Sequence, residues 1–429
     1  EDRLAELKRQ HKAISNFDDL VDYLEATIKT CAYVQGNLHW RQGKPGGRPD
    51  WPREYHKLTG RPPLEAHIFT QAVQNRMTRL ITRIRELARI VQKDAPLRQI
   101  FADRQYDALL SPDIQKRKNV KQFHNKFQSM LEVYGLRAGH GYGTSSNFTT
   151  PTWNMDNTLA YDMIASYAEQ NLNKLDKLER EARTERINIT RRTQKQLAQD
   201  PKKLKRFNKS LKEAIIGVRF LENHNYYMEQ CTMGTMREAI FEVGQKLVEK
   251  NLIDTPDDVC HFSIAELKTL AKETNPNNQR AFVQHRKEER ERRKKMKPPK
   301  TLGAPPKPSD NKQEETKEVG LYGNLVKGTG ASRGRVTGRA VVALPNQPRP
   351  KIHPGDILVA PNVGPDWTPA FAIIGGLVLD SGSLSQHAAL VAREYRVPSV
   401  MQTKEASSAI KNGQIITVDG DHGTVEITH

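Results

Sequence analysis

The stretch DSGSLSQHAALVAREYRVPSV, residues 380–400, decides how the C-terminal part of the chain folds. It predicts the end of a strand at 378–380, a turn of small residues at 381–385 and a helix with one apolar face at 386–395. His387 is its one good nucleophile near neutral pH, because an imidazole with an ordinary pKa of about 6.5 is largely neutral there. At the start of the helix, unpaired N–H groups and the macrodipole would favour a phosphoryl group carried on this ring.

Further segments around this stretch recur in a characteristic order: GASRG at 330–334, GRA at 338–340, GDILVA at 355–360, DWTP at 366–369 and the glycine-bounded segment 413–423. With them, residues 319–429 resemble the swivelling phosphohistidine domain of the PEP-utilising enzyme family, which includes PEP synthase, pyruvate phosphate dikinase, rifampin phosphotransferase and phenylphosphate synthase. The matching histidine is phosphorylated in that family, so the resemblance implies that His387 is the phosphoryl carrier. An arbitrary histidine is more often structural, but these surroundings favour the carrier role.

The resemblance also implies that Thr368, Ser385 and Gln386 contact the phosphate. Two positions depart from the family pattern. Ser383 stands where the family usually has a glycine, and Gln386 stands where it usually has Ser or Cys just before the histidine. The detailed phosphate contacts are therefore expected to differ.

The composition is that of a soluble chain with two or three domains, at 429 residues, 36% apolar and 28% charged. No apolar run is long enough to span a membrane and the start is not a signal peptide, so no membrane contact is expected. Three widely spaced cysteines favour a reducing, cytoplasmic setting. The net charge is +18, but the sequence contains no nucleic-acid-binding motif. The charge therefore favours a solvated face or an acidic protein partner over nucleic acid.

We predict a multidomain protein with an all-α substrate-binding domain at 1–288, a charged Pro-rich tether at 289–318 and a small α/β swivelling domain at 319–429. In the all-α domain, the apolar spacing predicts one helix over 64–93. The other predictions for this part are a cap at Asn16 or Asp18, a loop at 42–53, helices at 119–135 and from Asn157, a helix pair over 159–250, and a strand-like segment at 257–262 followed by a helix capped by Ser263.

Two segments are candidates for an acceptor site. The glycine-dense run 136–144 is similar in order to the substrate-binding domain of rifampin phosphotransferase, although Leu136 replaces the family's histidine, which suggests a different acceptor. Within 220–230, polar and aromatic residues crowd one helix, with Glu222, Tyr226 and Glu229 on one stripe and Asn223, Tyr227 and Gln230 on the next. The candidate bases are His140, His224 and Glu222, the candidate phosphoryl-binding arginines are Arg137 and Arg237, and Asn223 and Tyr227 are candidate substrate contacts. A flexible connector and a buried hydrogen-bonded cluster are the structural alternatives.

No nucleotide-binding module is recognisable in the sequence. The resemblance therefore implies that an ATP-grasp subunit or domain, on another chain or outside this sequence, supplies ATP and Mg²⁺, and no metal site is expected here. The implied reaction is of the dikinase type, in which ATP gives AMP and phosphate with water as the paired acceptor. His387 then passes its phosphoryl group to a phenol-type hydroxyl, as in phenylphosphate synthase. Phosphorylation of an antibiotic, as in rifampin phosphotransferase, and a non-catalytic phosphocarrier are the alternatives.

Overall fold

The computed structural model describes residues 2–39, 50–137, 150–274, 276–294, 296, 320–344, 350–384 and 386–428. The described residues up to 294 are mainly helical, and those from 320 onwards form a mixed sheet with short helices. This order confirms a helical part followed by a small α/β part. The boundaries at 288 and 318 stay predictions, although the last helix of the helical part continues to Lys294, six residues into the predicted tether.

The helical part contains α1 (Asp2–Lys12), α2 (Phe17–Tyr33), α3 (Trp51–Thr59), α4 (Arg76–Lys93), α5 (Ala95–Ala102), α6 (Pro112–Gln115), α7 (Lys118–Tyr134), α8 (Thr158–Ala168), α9 (Leu172–Leu197), α10 (Pro201–His224), α11 (Thr232–Glu249), α12 (Ile264–Lys272) and α13 (Arg280–Lys294). Shorter 3-10 and π turns are found at Val34–His39, Pro63–Thr70, Tyr106–Leu110, Asn225–Cys231 and Pro256–His261. The predicted cap at Asn16 and the capping box of Ser263 with Glu266 are confirmed.

Helix α4 lies at the centre of the helical part. Its apolar stripe packs against α5, α7 and α8 and buries Met77, Leu80, Ile84, Leu87 and Val91. The prediction of one helix over 64–93 was wrong, because a separate 3-10 helix ends at Thr70 and Ala72 adopts a φ of 49°. Asn75 then caps α4 through a reciprocal pair of hydrogen bonds with Thr78. Phe69 and Val73 are buried as the spacing suggested, but outside the helix.

This capping box makes a testable contribution to stability. Replacing Asn75 by alanine is expected to lower the free energy of unfolding by about 1 kcal/mol, because the N–H of Thr78 loses its side-chain acceptor. Chemical denaturation of the full chain measures this loss. The exposed neighbour Gln74, changed to alanine, serves as the matched control and should leave the midpoint unchanged.

Three other sequence predictions need correction. The loop expected at 42–53 already gives way to α3 at Trp51, capped by Asp50, and residues 40–49 lie outside the described ranges. The helix pair over 159–250 is instead the succession of α8 to α11, because new helices begin after Asn171 and Asp200. The segment at 257–262 is a 3-10 helix and not strand-like, since Pro256 and a capping box of Thr255 with Asp258 favour a turn.

The C-terminal sheet has the strand order β1-β2-β9-β8-β4-β5-β6-β7-β3. Its strands are β1 (Gly320–Tyr322), β2 (Leu325–Lys327), β3 (Thr329–Ser332), β4 (Arg335–Val342), β5 (Ile357–Ala360), β6 (Gly376–Leu379), β7 (Ser399–Met401), β8 (Ile415–Asp419) and β9 (Thr424–Ile427). Strands β4 to β7 are parallel to one another, and the outer pairs are antiparallel. The β-rich runs of the sequence predict strands at 356–360, 376–379, 399–401, 415–419 and 424–428. These five strands are confirmed to within one residue.

Strands β5 and β6 are the innermost part of this sheet, and every residue in both is buried. Their apolar runs, ILVA and GLVL, suit strands that are covered on both faces. The carrier helix (His387–Glu394) and the 3-10 helix Pro365–Ala372 cover one face. The short helix Ala406–Ala409 lies on the other.

The sheet part contacts the helical part through the far end of the carrier helix. Tyr395 packs against the apolar cores of both parts, and Ala372 packs against the helical core. Among the described residues, no helix is both long and apolar enough to cross a membrane.

Candidate functional site

The turn between β6 and the carrier helix is held by Asp380. Its carboxylate accepts hydrogen bonds from the backbone N–H of Ser407 at 2.8 Å and from the Thr403 hydroxyl at 3.3 Å. A further bond comes from the Ser407 hydroxyl. The turn therefore leaves the sheet at a fixed point, which sets the position where the carrier helix begins.

Gln386 closes this turn from the other side. Its Oε1 accepts from the Ser383 N–H at 3.2 Å, and its Nε2 donates to Asn362 Oδ1 at 2.7 Å. Gly382 has a φ of 124°, and a Cβ added there would meet Gln386 Oε1 at 2.6 Å. A glycine is therefore required at 382. The same amide was predicted to contact phosphate; here it ties the turn to the loop after β5.

His387 is the first residue of the carrier helix, and Gln386 occupies the N-cap position without a side-chain capping bond. The first-turn N–H groups are thus uncapped by that side chain, as an anion site at a helix start requires. Thr368 lies in the neighbouring 3-10 helix. Ser385 lies outside the described residues, and the side chains of Thr368 and His387 are not described, so their predicted roles stay predictions.

Arg393 joins the carrier helix to the helical part. Its guanidinium donates from Nε to the Ala331 carbonyl at 2.6 Å and from Nη1 to the Leu384 carbonyl at 2.8 Å. Nη1 also lies 3.3 Å from His67 Nδ1. Burial lowers the pKa of His67 to about 3, with a smaller contribution from the charge of Arg393. A neutral imidazole accepting from Arg393 fits both observations.

Two further contacts lie just beyond the end of the carrier helix. Tyr395 lies beside Tyr167 and Arg85, and burial raises the pKa of both phenols. Arg396 has its Nη2 3.3 Å from Glu185 and its Nη1 3.9 Å from Glu181, both on α9. The sheet part is therefore docked on the helical part through a hydrogen bond, a buried aromatic contact and an ion pair.

Predicted acceptor residues on α10 and the following π turn meet at Arg76, the first residue of α4. Asn223 Oδ1 accepts from the Arg76 backbone N–H at 2.9 Å, and Tyr227 Oη accepts from its Nη2 at 2.5 Å. The guanidinium carbon also lies 4.9 Å from the centre of the Tyr226 ring and 5.3 Å from that of Tyr227. Tyr134 completes the group by donating to the Arg76 carbonyl at 3.1 Å.

The π turn Asn225–Cys231 alters which residues share a face of the helix. Because a π turn holds more residues than an α turn, the regular i, i+4, i+7 spacing does not continue through 225–231. Tyr226 and Tyr227 consequently both lie at Arg76, with their rings 4.9 Å apart, although they were expected on separate stripes. Tyr226 donates to the Val133 carbonyl at 2.6 Å.

The two candidate phosphoryl-binding arginines are buried. Arg237 donates to Asp257 at 2.8 Å and to the Thr150 carbonyl at 3.2 Å. Arg137 lies over the Trp153 ring, 5.4 Å from its centre. Both contribute to the packing around 150–153, so this geometry adds a structural role to the predicted binding role.

The structure describes the positions of the three candidate bases only in part. His224 is partly buried, with its ring 6.3 Å from that of Phe220. Glu222 lies in α10, and nothing of its side chain is described. His140 lies outside the described residues. The structure therefore brings together Asn223 and Tyr227, whereas the choice of base among these three stays a prediction.

The first turn of α4 and the carrier helix border a common small cavity. This cavity, of about 30 Å³, is lined by Asn75, Met77 and Thr78 from the start of α4 and by Leu390 and Val391 from the carrier helix. Positions 387, 390, 391 and 394 share one face of a helix by their spacing. The residues of this helix that border the cavity with the start of α4 lie within 390–394, in its C-terminal part.

Two family models match the chain. A model described as PEP-utilising enzyme, mobile domain, matches residues 352–423, and one described as rifampicin phosphotransferase fourth domain matches residues 51–220. The first match contains the whole carrier helix, and the second contains Arg76 and the start of α4.

Over residues 352–423 the chain is thus similar to the mobile domain of the PEP-utilising enzyme family.

Three relatives illustrate the match. The chain is 33% identical over 193 residues to the rifampicin phosphotransferase of Bacillus subtilis, covering 44% of this chain and 21% of that protein. It is 42% identical over 112 residues to the phosphoenolpyruvate synthase of Pyrococcus furiosus, covering 26% and 14%. It is 29% identical over 339 residues to the chondramide synthase of Chondromyces crocatus, covering 72% and 8%. The chain thus spans about a fifth or less of the length of these relatives.

Several residues with notable contacts could not be found from the sequence. Arg76 is one of several arginines in 64–93 and carried no signal of its own. Neither His67 nor Arg393 carried a signal either, because their contact joins positions 326 residues apart. Glu238 was also missed. It accepts from Thr152 at 2.8 Å and from Asn154 at 3.0 Å, and burial raises its pKa against these bonds.

Proposed function

We propose that this chain is the carrier and acceptor part of a phosphotransferase, in which His387 receives a phosphoryl group and passes it to the hydroxyl of a small aromatic alcohol. The observation that carries the proposal is the contact between the carrier helix and the start of α4. At the start of α4, Arg76 forms hydrogen bonds with Asn223 and Tyr227. This contact supports the proposal because the carrier helix and the helix that starts at Arg76 are neighbours in the structure.

The transfer itself breaks the P–N bond of the phosphohistidine and forms a P–O bond with the acceptor oxygen. The electron pair of the broken bond stays on the imidazole, and the hydroxyl proton goes to a base, His224, His140 or Glu222. Since the transition state is loose, the protein mainly positions the two groups and neutralises charge. The N–H groups at the start of the carrier helix, which the Gln386 side chain does not cap, are the proposed donors for the phosphoryl oxygens. Arg137 or Arg237 is the predicted cationic contact.

The loading step requires chemistry from elsewhere. We assign it to an ATP-grasp subunit or domain that binds ATP and Mg²⁺, transfers the β-phosphoryl group to His387 and the γ-phosphoryl group to water, and releases AMP and phosphate. In the part of the chain that the structure describes, no group of three or more His, Cys, Asp or Glu residues is placed to hold a metal ion. The proposal assigns Mg²⁺ to that partner.

The surroundings of Arg76 support an aromatic acceptor. The rings of Tyr134 and Tyr226 are 5.6 Å apart and nearly perpendicular, and Tyr226 and Tyr227 are arranged in the same way. Such edge-to-face packing favours another aromatic ring as a neighbour. The second candidate acceptor is a rifampicin-type antibiotic, which the match over residues 51–220 favours.

The acceptor can be tested without the loading partner. The chain would be phosphorylated with phosphoramidate, a small-molecule phosphoryl donor, desalted, and incubated with phenol, with ethanol or with rifampicin. We expect mass spectrometry to find phenyl phosphate, formed as the protein loses its phosphate. Formation of phosphorylated rifampicin alone would favour the second candidate. A loaded chain that transfers only to water would overturn the acceptor role and leave a non-catalytic phosphocarrier.

Changing His224 to alanine tests the predicted base. In the same assay, transfer to phenol is expected to fall at least about tenfold, because the hydroxyl proton loses its general base. Loading of His387 should stay unchanged. His124, an exposed histidine on α7, is the matched control and should transfer normally as alanine. Equal transfer rates for the two variants would exclude His224 as the base.

A further inference from the structure

A second, basic cleft lies between the two parts of the molecule. It has a volume of about 780 Å³ and is bordered by α9, by the segment around the 3-10 helix Pro63–Thr70, and by Arg333 in the turn before β4. That volume falls within the range of small-molecule sites. Its lining carries five cationic side chains, Arg61, Lys177, Arg180, Arg192 and Arg333, against three carboxylates.

The carboxylates of the cleft are already engaged. Glu65 accepts from the Tyr55 hydroxyl at 3.2 Å and lies 3.7 Å from Arg61. Glu185 and Glu181 lie 3.3 and 3.9 Å from Arg396, and Glu181 also lies 3.9 Å from Lys177. Their negative charge is therefore shared with cations other than Arg180, Arg192 and Arg333.

These three arginines keep an excess of positive charge in the cleft. The described residues provide no ion pair or hydrogen bond for Arg180 or Arg192, and Arg333 has a distant carboxylate, Asp421, at 3.9 Å. Like-charged guanidinium groups around one cleft raise the local concentration of anions. An anion bound between them would form the charge-assisted hydrogen bonds that the protein leaves unmade.

The spacing along α9 suits an elongated anion. Arg180, Thr184, Asn188 and Arg192 line the cleft at intervals of four residues, which places them along one ridge of the helix. Twelve residues of α-helix span about 18 Å. The ridge thus has a guanidinium at each end and neutral hydrogen-bonding groups between them, a pattern that fits phosphate oxygens linked to a polar body.

We propose that this cleft binds a phosphate-bearing small molecule, of the class of inorganic phosphate, pyrophosphate or a nucleotide, and that the bound anion holds the carrier domain against the helical part. The holding role of the anion follows from which part of the molecule supplies each side chain. Arg333 belongs to the sheet part and the other arginines to the helical part, so the ligand contacts both only in the docked arrangement. A ligand that binds one arrangement better shifts the population towards it.

Calorimetric titration of the full chain with phosphate, pyrophosphate, AMP and ATP would test the binding site. At least one of these anions is expected to bind, and changing both Arg192 and Arg333 to alanine should weaken it at least tenfold. Arg191→Ala removes an equally exposed arginine of α9 that does not line the cleft, and it should bind normally. His387→Ala should also bind normally, which separates this site from phosphoryl transfer.

Small-angle scattering would test the bridging role. The bound anion is expected to reduce the radius of gyration of the unaltered chain but not that of Arg333→Ala, measured at saturating anion. The proposal is overturned if none of the four anions binds, or if Arg191→Ala weakens binding as much as the double variant. Compaction of Arg333→Ala equal to that of the unaltered chain would contradict the bridge.

Discussion

Replacing His387 by alanine is expected to abolish phosphoryl transfer, with a loss of at least about a thousandfold, because removing a covalent nucleophile leaves no equivalent route. Alanine is the best helix former and should preserve the carrier helix. Phosphoramidate treatment followed by mass spectrometry would measure the acid-labile phosphate on the protein. The unaltered chain should gain this phosphate on the peptide containing residue 387, and the variant should not.

A second histidine in the sheet part provides the control for this experiment. His422 is exposed and contacts Asp419 with its Nδ1 at 3.0 Å, on a turn remote in sequence from the carrier helix. His422→Ala should be loaded and discharged like the unaltered chain. Acid-labile phosphate that persists in His387→Ala and disappears in His422→Ala would refute the assignment of the carrier.

Lowering the pH from 7.5 to 5.0 is expected to weaken docking of the carrier domain about thirtyfold, through His67. When the domains are separated, this imidazole should titrate near its ordinary pKa of about 6.5. When they are docked, burial and the charge of Arg393 lower its pKa to about 3. Protonation therefore opposes docking, so docking is fully favoured above the free pKa and weakens as the pH falls below it.

Small-angle scattering across this pH range would measure the docked fraction of the unaltered chain and of His67→Gln. The glutamine carbonyl can still accept from Arg393 but does not titrate, so the variant should show a nearly flat profile. His56, whose Nδ1 lies 2.8 Å from the Arg61 carbonyl within the helical part, is the control. His56→Gln should keep the full pH dependence, and a flat profile in the unaltered chain would refute the role of His67.

The α/β part could be predicted from sequence because its signals are local. The runs ILVA and GLVL are each buried along their whole length, and glycine-bounded turns separate the strands. The start of α4 could not be predicted in this way. The apolar spacing of Phe69 and Val73 continues that of the helix, while the break depends on an Asn75 side chain that competes for backbone N–H groups.

The candidate site was predictable only in part, for a similar reason. Asn223 and Tyr227 were identified from their unusual setting within a helix, but their common partner, Arg76, is distant in sequence and looked like a solvated charge. The π turn at Asn225–Cys231 left no periodic signal, and it brings Tyr226 beside Tyr227 at that arginine. Long-range contacts of this kind depend on tertiary packing, which residue spacing alone does not encode.

The burial of Arg393 has a consequence for the timing of the reaction cycle. When the carrier domain undocks from the helical part, this guanidinium and the phenol of Tyr395 become hydrated. When the domain docks again, both groups must be desolvated. Under the proposed function, the residence time at the acceptor would therefore depend on this contact and not on the site of phosphoryl transfer. A variant that merely loosens the contact would change turnover while leaving the bond-making step untouched.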